Sequence, residues 1–274
     1  MRRDTPGWPL RRRRLQRAPR RALTYEEAVA DRQGDGTLLR THGRRTGRAV
    51  LLLHGYTHSP RQVARLAELF HERGCNVYAP LAPGHGAGGR HAGFTAADLL
   101  AYAGDALDVA AALGEEVGVV GVSAGAALAT WLGAHHGDVV GRLLLITPLF
   151  APHPGRVPAA LLRPVTVLYG LRLVPDRVNA RGYSFTAVAQ YLRVAANLPA
   201  VPVRGALRRV AVVTSPGDTV VDAGQAVAVP ARLAAAAGAA FVHHVLPDGE
   251  GHAHNVIGAH AQALDQVYLD LYDG

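Results

Sequence analysis

Lysine is absent from this chain of 274 residues, cysteine and methionine occur once each, and serine occurs only at Ser59, Ser123, Ser184 and Ser215. A single thiol, Cys75, excludes a disulfide within the chain, which makes a reducing cytoplasm the expected compartment. Cys75 opens an apolar run and is expected to be a buried, inert thiol. Long apolar stretches are missing too: even residues 157–174 are interrupted by Arg163, Pro164 and Arg172, so stable membrane insertion is not expected. Residues 1–21 lack the apolar core of a signal peptide and are broken by Pro6, Pro9 and Pro19.

All 29 basic residues are arginine, and nine of them fall in residues 1–21 beside a single aspartate, which accounts for the whole formal charge of +8. The rest of the chain is neutral, which argues against a nucleic-acid-binding face. Residues 1–21 are expected to be a disordered arginine-rich tail, with an arm touching anionic lipid or RNA as the alternative. Residues 22–274 are long enough for one large α/β domain with its own core.

Apolar runs and helical patterns alternate along that domain. Ala49–Leu53 reads as a strand buried on both faces. A helix opens at Pro60, with Val63, Leu66, Ala67 and Phe70 on one face, and stops at Gly74. Strands are expected at 75–79, 117–122, 143–147, 210–214 and 241–246, and helices at 95–113, 124–136, 223–237 and 259–272. Short turns between alternating strands and helices imply right-handed crossovers and an open, mostly parallel sheet flanked by helices. The alternation lapses at about 148–205, where prolines and aromatic residues concentrate, as in short helices laid over a sheet.

Gly121-Val122-Ser123-Ala124-Gly125 sits where the run Val117–Val122 gives way to an alanine-rich helix. A serine flanked by glycines two residues away on each side, at a strand-to-helix turn, can be held strained and exposed as a nucleophile. Asp218, in the turn Ser215-Pro216-Gly217-Asp218, follows the strand 210–214, and His252 and His254 follow the strand 241–246. A serine needs a base and the base an orienting acid, and in open α/β sheets such groups gather at the carboxyl ends of strands. Asp222 competes with Asp218 but precedes a helix and suits an N-cap. Turn and surface-loop roles are the plain alternatives for Asp218 and the two histidines. The His-X-His spacing and the pair His243-His244 are weak as a zinc signal, so no metal is expected.

The chain order Ser, Asp, His, together with Leu53-His54-Gly55-Tyr56-Thr57, Ala82-Pro83-Gly84-His85-Gly86 and Asp218-Thr219-Val220-Val221-Asp222, resembles the α/β-hydrolases of the carboxylesterase and monoacylglycerol-lipase type, over about residues 45–274. The resemblance implies an α/β-hydrolase fold with a helical cap insertion at about 148–205. It implies Ser123, Asp218 and His254 as the catalytic residues, with His252 as the alternative base. Backbone amides of Tyr56 and Ala124 would form the oxyanion hole, and His54, Gly55, Gly121 and Gly125 would be structural parts of the motifs. The expected partner is a small acyl ester, cleaved without metal or organic cofactor. A thioester, a lysophospholipid or an aminoacyl amide would suit the same residues, with Arg163, Arg172, Arg177 and Arg181 able to meet a phosphate. A binding protein on the same scaffold is the non-enzymatic alternative.

Overall fold

A computed structural model describes residues 20–30, 36–86, 93–180, 182–199, 205–248 and 253–274. Most of the arginine-rich tail, Arg181 and His252 lie outside the described residues. Arg20 and Arg21, the last two residues of the expected tail, bond to Asp108 through the Arg20 side chain and the Arg21 amide, both at 2.8 Å.

The chain runs α1 (Tyr25–Ala30), β1 (Leu38–Arg40), β2 (Thr46–Leu53), α2 (Ala64–Glu72), β3 (Asn76–Ala79), α3 (Ala96–Leu113), β4 (Gly114–Val122), α4 (Ala124–His135) and β5 (Val140–Ile146). It continues through α5 (Ala159–Gly170), α6 (Phe185–Ala196), β6 (Arg209–Thr214), α7 (Ala223–Ala237), β7 (Ala240–Val245) and α8 (Asp265–Asp273). The strands form a 7-stranded sheet in the order β1-β3-β2-β4-β5-β6-β7. All pairings are parallel except that of β1 with β3. The expected parallel sheet is thus present, with α1 and the antiparallel edge strand β1 added.

The unbroken apolar runs follow from burial on both faces. In β2, Leu51 and Leu53 face a core built with α3, α4 and α6, while Val50 and Leu52 face a second core built with α2 and α8. Each leucine removed from water there stabilises the fold by about 1.5–3 kcal/mol. Local signals set the helix starts. Thr95 and Asp98 form a reciprocal capping box on α3, and Asp222 accepts from the Gln225 amide at 2.9 Å to cap α7. Two expected helices open in tighter 3-10 turns, at Pro60–Val63 before α2 and Ala259–Leu264 before α8. Between β5 and β6, α5 and α6 pack on each other, and α6 also contacts α3 and α4.

Candidate active site

Ser123 lies between the end of β4 and the start of α4 with φ 52 and ψ −111, a left-handed conformation that a non-glycine residue adopts only under constraint. Both flanking glycines are required by close approach. A Cβ at Gly121 would stand 2.5 Å from the Ala126 Cα, and one at Gly125 would stand 2.2 Å from the Leu53 carbonyl oxygen. The Ser123 amide donates to the Ile146 carbonyl at 2.9 Å, and its own carbonyl accepts from Leu149 at 3.0 Å. These bonds fix the turn, and the hydroxyl makes no cap hydrogen bond to the helix it begins.

That hydroxyl meets His254, whose Nε2 is 2.8 Å from Ser123 Oγ. The other ring nitrogen, Nδ1, is 2.7 Å from Asp218 Oδ2. Asp218 Oδ1 accepts from the amides of Val220 at 2.7 Å and Val221 at 3.2 Å, so Oδ1 has fixed donors and Oδ2 is reserved for the imidazole. With the carboxylate as acceptor, Nδ1 carries the hydrogen and Nε2 is the acceptor for the serine hydroxyl. Burial, the largest influence, raises Asp218. The bond to His254, its charge and the two amides outweigh burial and hold the carboxyl below its ordinary value. Serine, histidine and aspartate therefore stand in one hydrogen-bonded line. Asp222 takes the N-cap position instead.

Five neighbouring strands deliver the site at their carboxyl ends: β2 leads to Tyr56, β4 to Ser123, β5 to Thr147, β6 to Asp218 and β7 to His254. Ala124 is the first residue of α4, where an amide has no carbonyl of its own helix to bond. Leu53 and Gly121 are paired in the sheet, so the turns carrying Tyr56 and Ala124 leave it side by side. His54 is a clamp below them, with Nδ1 bonded to the Gly55 carbonyl at 2.9 Å and Nε2 accepting from the Ala82 amide at 3.0 Å. Burial pushes its pKa down to about 3, so the ring is neutral and has no vacant nitrogen for proton transfer. The Gly55 amide donates to Gln62 Oε1 at 2.8 Å, which ties the same turn to the segment opening α2.

Two residues with no signal in the motifs join the site. Thr147, at φ 43, donates its hydroxyl to the backbone carbonyl of His254 at 3.1 Å. Arg156 lines the same cavity as Ser123, although it belongs to no recognisable pattern.

The cavity has a volume of about 380 Å³, within the range of small-molecule sites. Ser123, His254, Gly55 and Tyr56 line it, and Leu149, Val157, Leu162, Val165, Phe185 and Leu192 make most of the rest apolar. His58 also lines it, whereas Arg163, Arg172 and Arg177 do not. Arg172 bonds instead to the carbonyls of Gly93 and Phe94 at 3.1 and 3.0 Å. Among the described residues no three His, Cys, Asp or Glu side chains converge as a metal site requires, and no helix is long and apolar enough to cross a membrane.

Solved structures similar to this one include a metagenome-derived lipolytic enzyme, at 19% identity and TM-score 0.66 over 87% of this chain and 97% of that one. The monoacylglycerol lipase of Paleococcus ferrophilus aligns at 15% identity and TM-score 0.65, over 85% of this chain and 96% of the other. A soluble variant of the monoglyceride lipase of Saccharomyces cerevisiae aligns at 13% identity and TM-score 0.60, covering 86% and 90%. At these identities the likeness is one of fold. No curated protein sequence matches the chain. Residues 50–267 match the sequence model of the alpha/beta hydrolase family, and the chain belongs to that family.

Proposed function

We propose that this protein is a serine hydrolase that cleaves carboxylic esters through an acyl-enzyme intermediate. The observation that carries the reading is the unbroken line Asp218–His254–Ser123, with bonds of 2.7 and 2.8 Å, opening on an apolar cavity. His254 Nε2 takes the hydroxyl proton as Ser123 Oγ bonds to the ester carbonyl carbon. The resulting oxyanion is met by the amides of Tyr56 and Ala124, each contributing about 3–4 kcal/mol if well placed. Collapse breaks the bond to the alcohol oxygen, which leaves with the proton from His254. Water then gives a proton to His254, adds to the acyl carbon and releases the acid as Ser123 regains its hydrogen. Asp218 stays ionised throughout and stabilises the imidazolium. Every proton and electron pair in this sequence is accounted for by protein groups and water.

The apolar lining from α5 and α6 and the similarity in fold to monoacylglycerol lipases support a short or medium acyl ester, or a monoacylglycerol, as substrate. On this reading residues 148–205 act as a cap inserted into the domain 22–274 and supply the acyl-facing wall. The one buried, unpaired thiol at Cys75 supports a cytoplasmic setting.

Intact-mass detection of a fluorophosphonate adduct tests the assignment. One adduct per chain on the wild type and none on Ser123→Ala is expected. A folded wild type that takes no label ends the proposal, and higher kcat/KM on thioesters or aminoacyl amides than on esters moves the substrate class.

A further inference from the structure

Among the described residues, Arg156 is the one side chain lining the Ser123 cavity that carries a permanent charge, and no carboxylate lines that cavity. Its Nε donates to the Thr219 carbonyl at 2.5 Å, one residue beyond Asp218, so the guanidinium is anchored to the loop that holds the acid. Among the described residues Arg156 makes no ion pair and no other side-chain hydrogen bond. A planar guanidinium held through Nε leaves both terminal nitrogens to form a fork for two oxygens of one anion.

The surroundings extend this polar end. A second, more open recess of about 430 Å³ shares Arg156 and Asn179 with the first, His153, Gly155 and Thr219 complete most of its lining, and no acid lines it among the described residues. The site is thus apolar where α5 and α6 cover it and cationic where the 153–156 loop meets Thr219. A neutral lipid would gain nothing from that cation, whereas an anionic group at the far end of an ester would meet both terminal nitrogens.

Building on the ester-hydrolase reading, we infer that Arg156 is a specificity residue that selects esters bearing a carboxylate or phosphate away from the scissile bond. Arg156 is solvent-exposed, so water screens the contact, and a discrimination of about tenfold is expected, at the low end of charge-assisted hydrogen bonds.

The test compares kcat/KM for two matched pairs: the 4-nitrophenyl esters of hexanoic acid and of adipic acid (mono-ester), and a monoacylglycerol against its phosphorylated counterpart. The first pair places the anion on the acyl side and the second on the alcohol side, so the two sources are told apart. The wild type is expected to favour the anionic member of at least one pair, by a margin that shrinks as salt is added. Arg156→Gln should lower that anionic-to-neutral ratio about tenfold, Arg156→Lys should retain part of it, and Arg163→Gln, outside the cavity, should leave it in place. A ratio in Arg156→Gln within twofold of the wild type for both pairs, or a wild-type ratio indifferent to salt, overturns the inference while ester turnover stands. If no ester of either pair is turned over and Ser123 takes no fluorophosphonate, the underlying reading fails and this one with it.

Discussion

Replacing Asp218 by asparagine and by alanine should separate orientation of the imidazole from stability of the loop. The Oδ1 side is defined by two fixed donors, the amides of Val220 and Val221 at 2.7 and 3.2 Å. In Asp218→Asn these two amides select the side-chain oxygen, which turns the new NH₂ group toward His254 Nδ1. The imidazole must then accept at Nδ1 and carry its hydrogen on Nε2, where it can no longer receive the proton of Ser123. The expected loss in kcat is about ten-thousand-fold, the cost of the wrong tautomer in a Ser-His-Asp site. Folding stability should change little, because the loop keeps its acceptor. Asp218→Ala should lose comparable turnover and in addition about 1–3 kcal/mol of stability per amide left without a partner. Steady-state hydrolysis of a chromogenic ester, beside urea denaturation of all three proteins, reads both effects. An asparagine variant that folds normally and works within tenfold of the wild type would refute the account of the tautomer.

Gly125→Ala would drive a methyl group to 2.2 Å from the Leu53 carbonyl oxygen and 2.6 Å from that of His54, so it should abolish turnover and lower stability by several kcal/mol, read by thermal melting. Thr147→Val keeps the branched shape but removes the bond to the His254 carbonyl; kcat should fall about tenfold with little change in the melting temperature, and unchanged turnover would show that the bond is idle. Burial lowers His54 from 6.5 to about 3, so below pH 6.5 the unfolded chain binds a proton that the folded one refuses. Stability from this group is therefore full above the unfolded value and falls as acid is added, by about 3 kcal/mol between pH 7 and pH 4. Urea denaturation of His54→Asn across that range should show a shallower decline than the wild type.

The parallel sheet was readable because each central strand is covered on both faces and so reads as an unbroken apolar run. The same logic hid the strand beginnings: β4 starts at Gly114-Glu115-Glu116, and β6 starts at Arg209. At β4 the start is polar because Glu116 pairs with Arg142 and Arg208 at 2.9 and 2.6 Å rather than with the core, and at β6 Arg209 donates to the Leu271 carbonyl at 2.8 Å. β1 spans only three residues, Leu38–Arg40, and its pairing with β3 is a long-range fact that no local pattern announces.

At the site, the glycines around Ser123 and the strand-end position of Asp218 carried their chemistry openly. The geometry brings His254 to both, while His252 lies outside the described residues. Thr147 acts through a hydroxyl aimed at a backbone carbonyl, a contact that depends on a left-handed turn at its own position and leaves no spacing rule. Arg156 sits in Pro154-Gly155-Arg156, where composition suggests only a loop. Of the arginines expected to be able to meet a phosphate, Arg163, Arg172 and Arg177 do not line the cavity, and Arg172 bonds instead to the carbonyls of Gly93 and Phe94.

The central claim is that Ser123 forms a covalent ester with its substrate's acyl group. Acid quenching during turnover of a slowly deacylated ester, followed by peptide mass mapping, tests it directly. The account predicts the acyl mass on the peptide containing Ser123, at up to one group per chain, and none in Ser123→Ala. An acyl group on a different residue, or undiminished hydrolysis by Ser123→Ala, would contradict it.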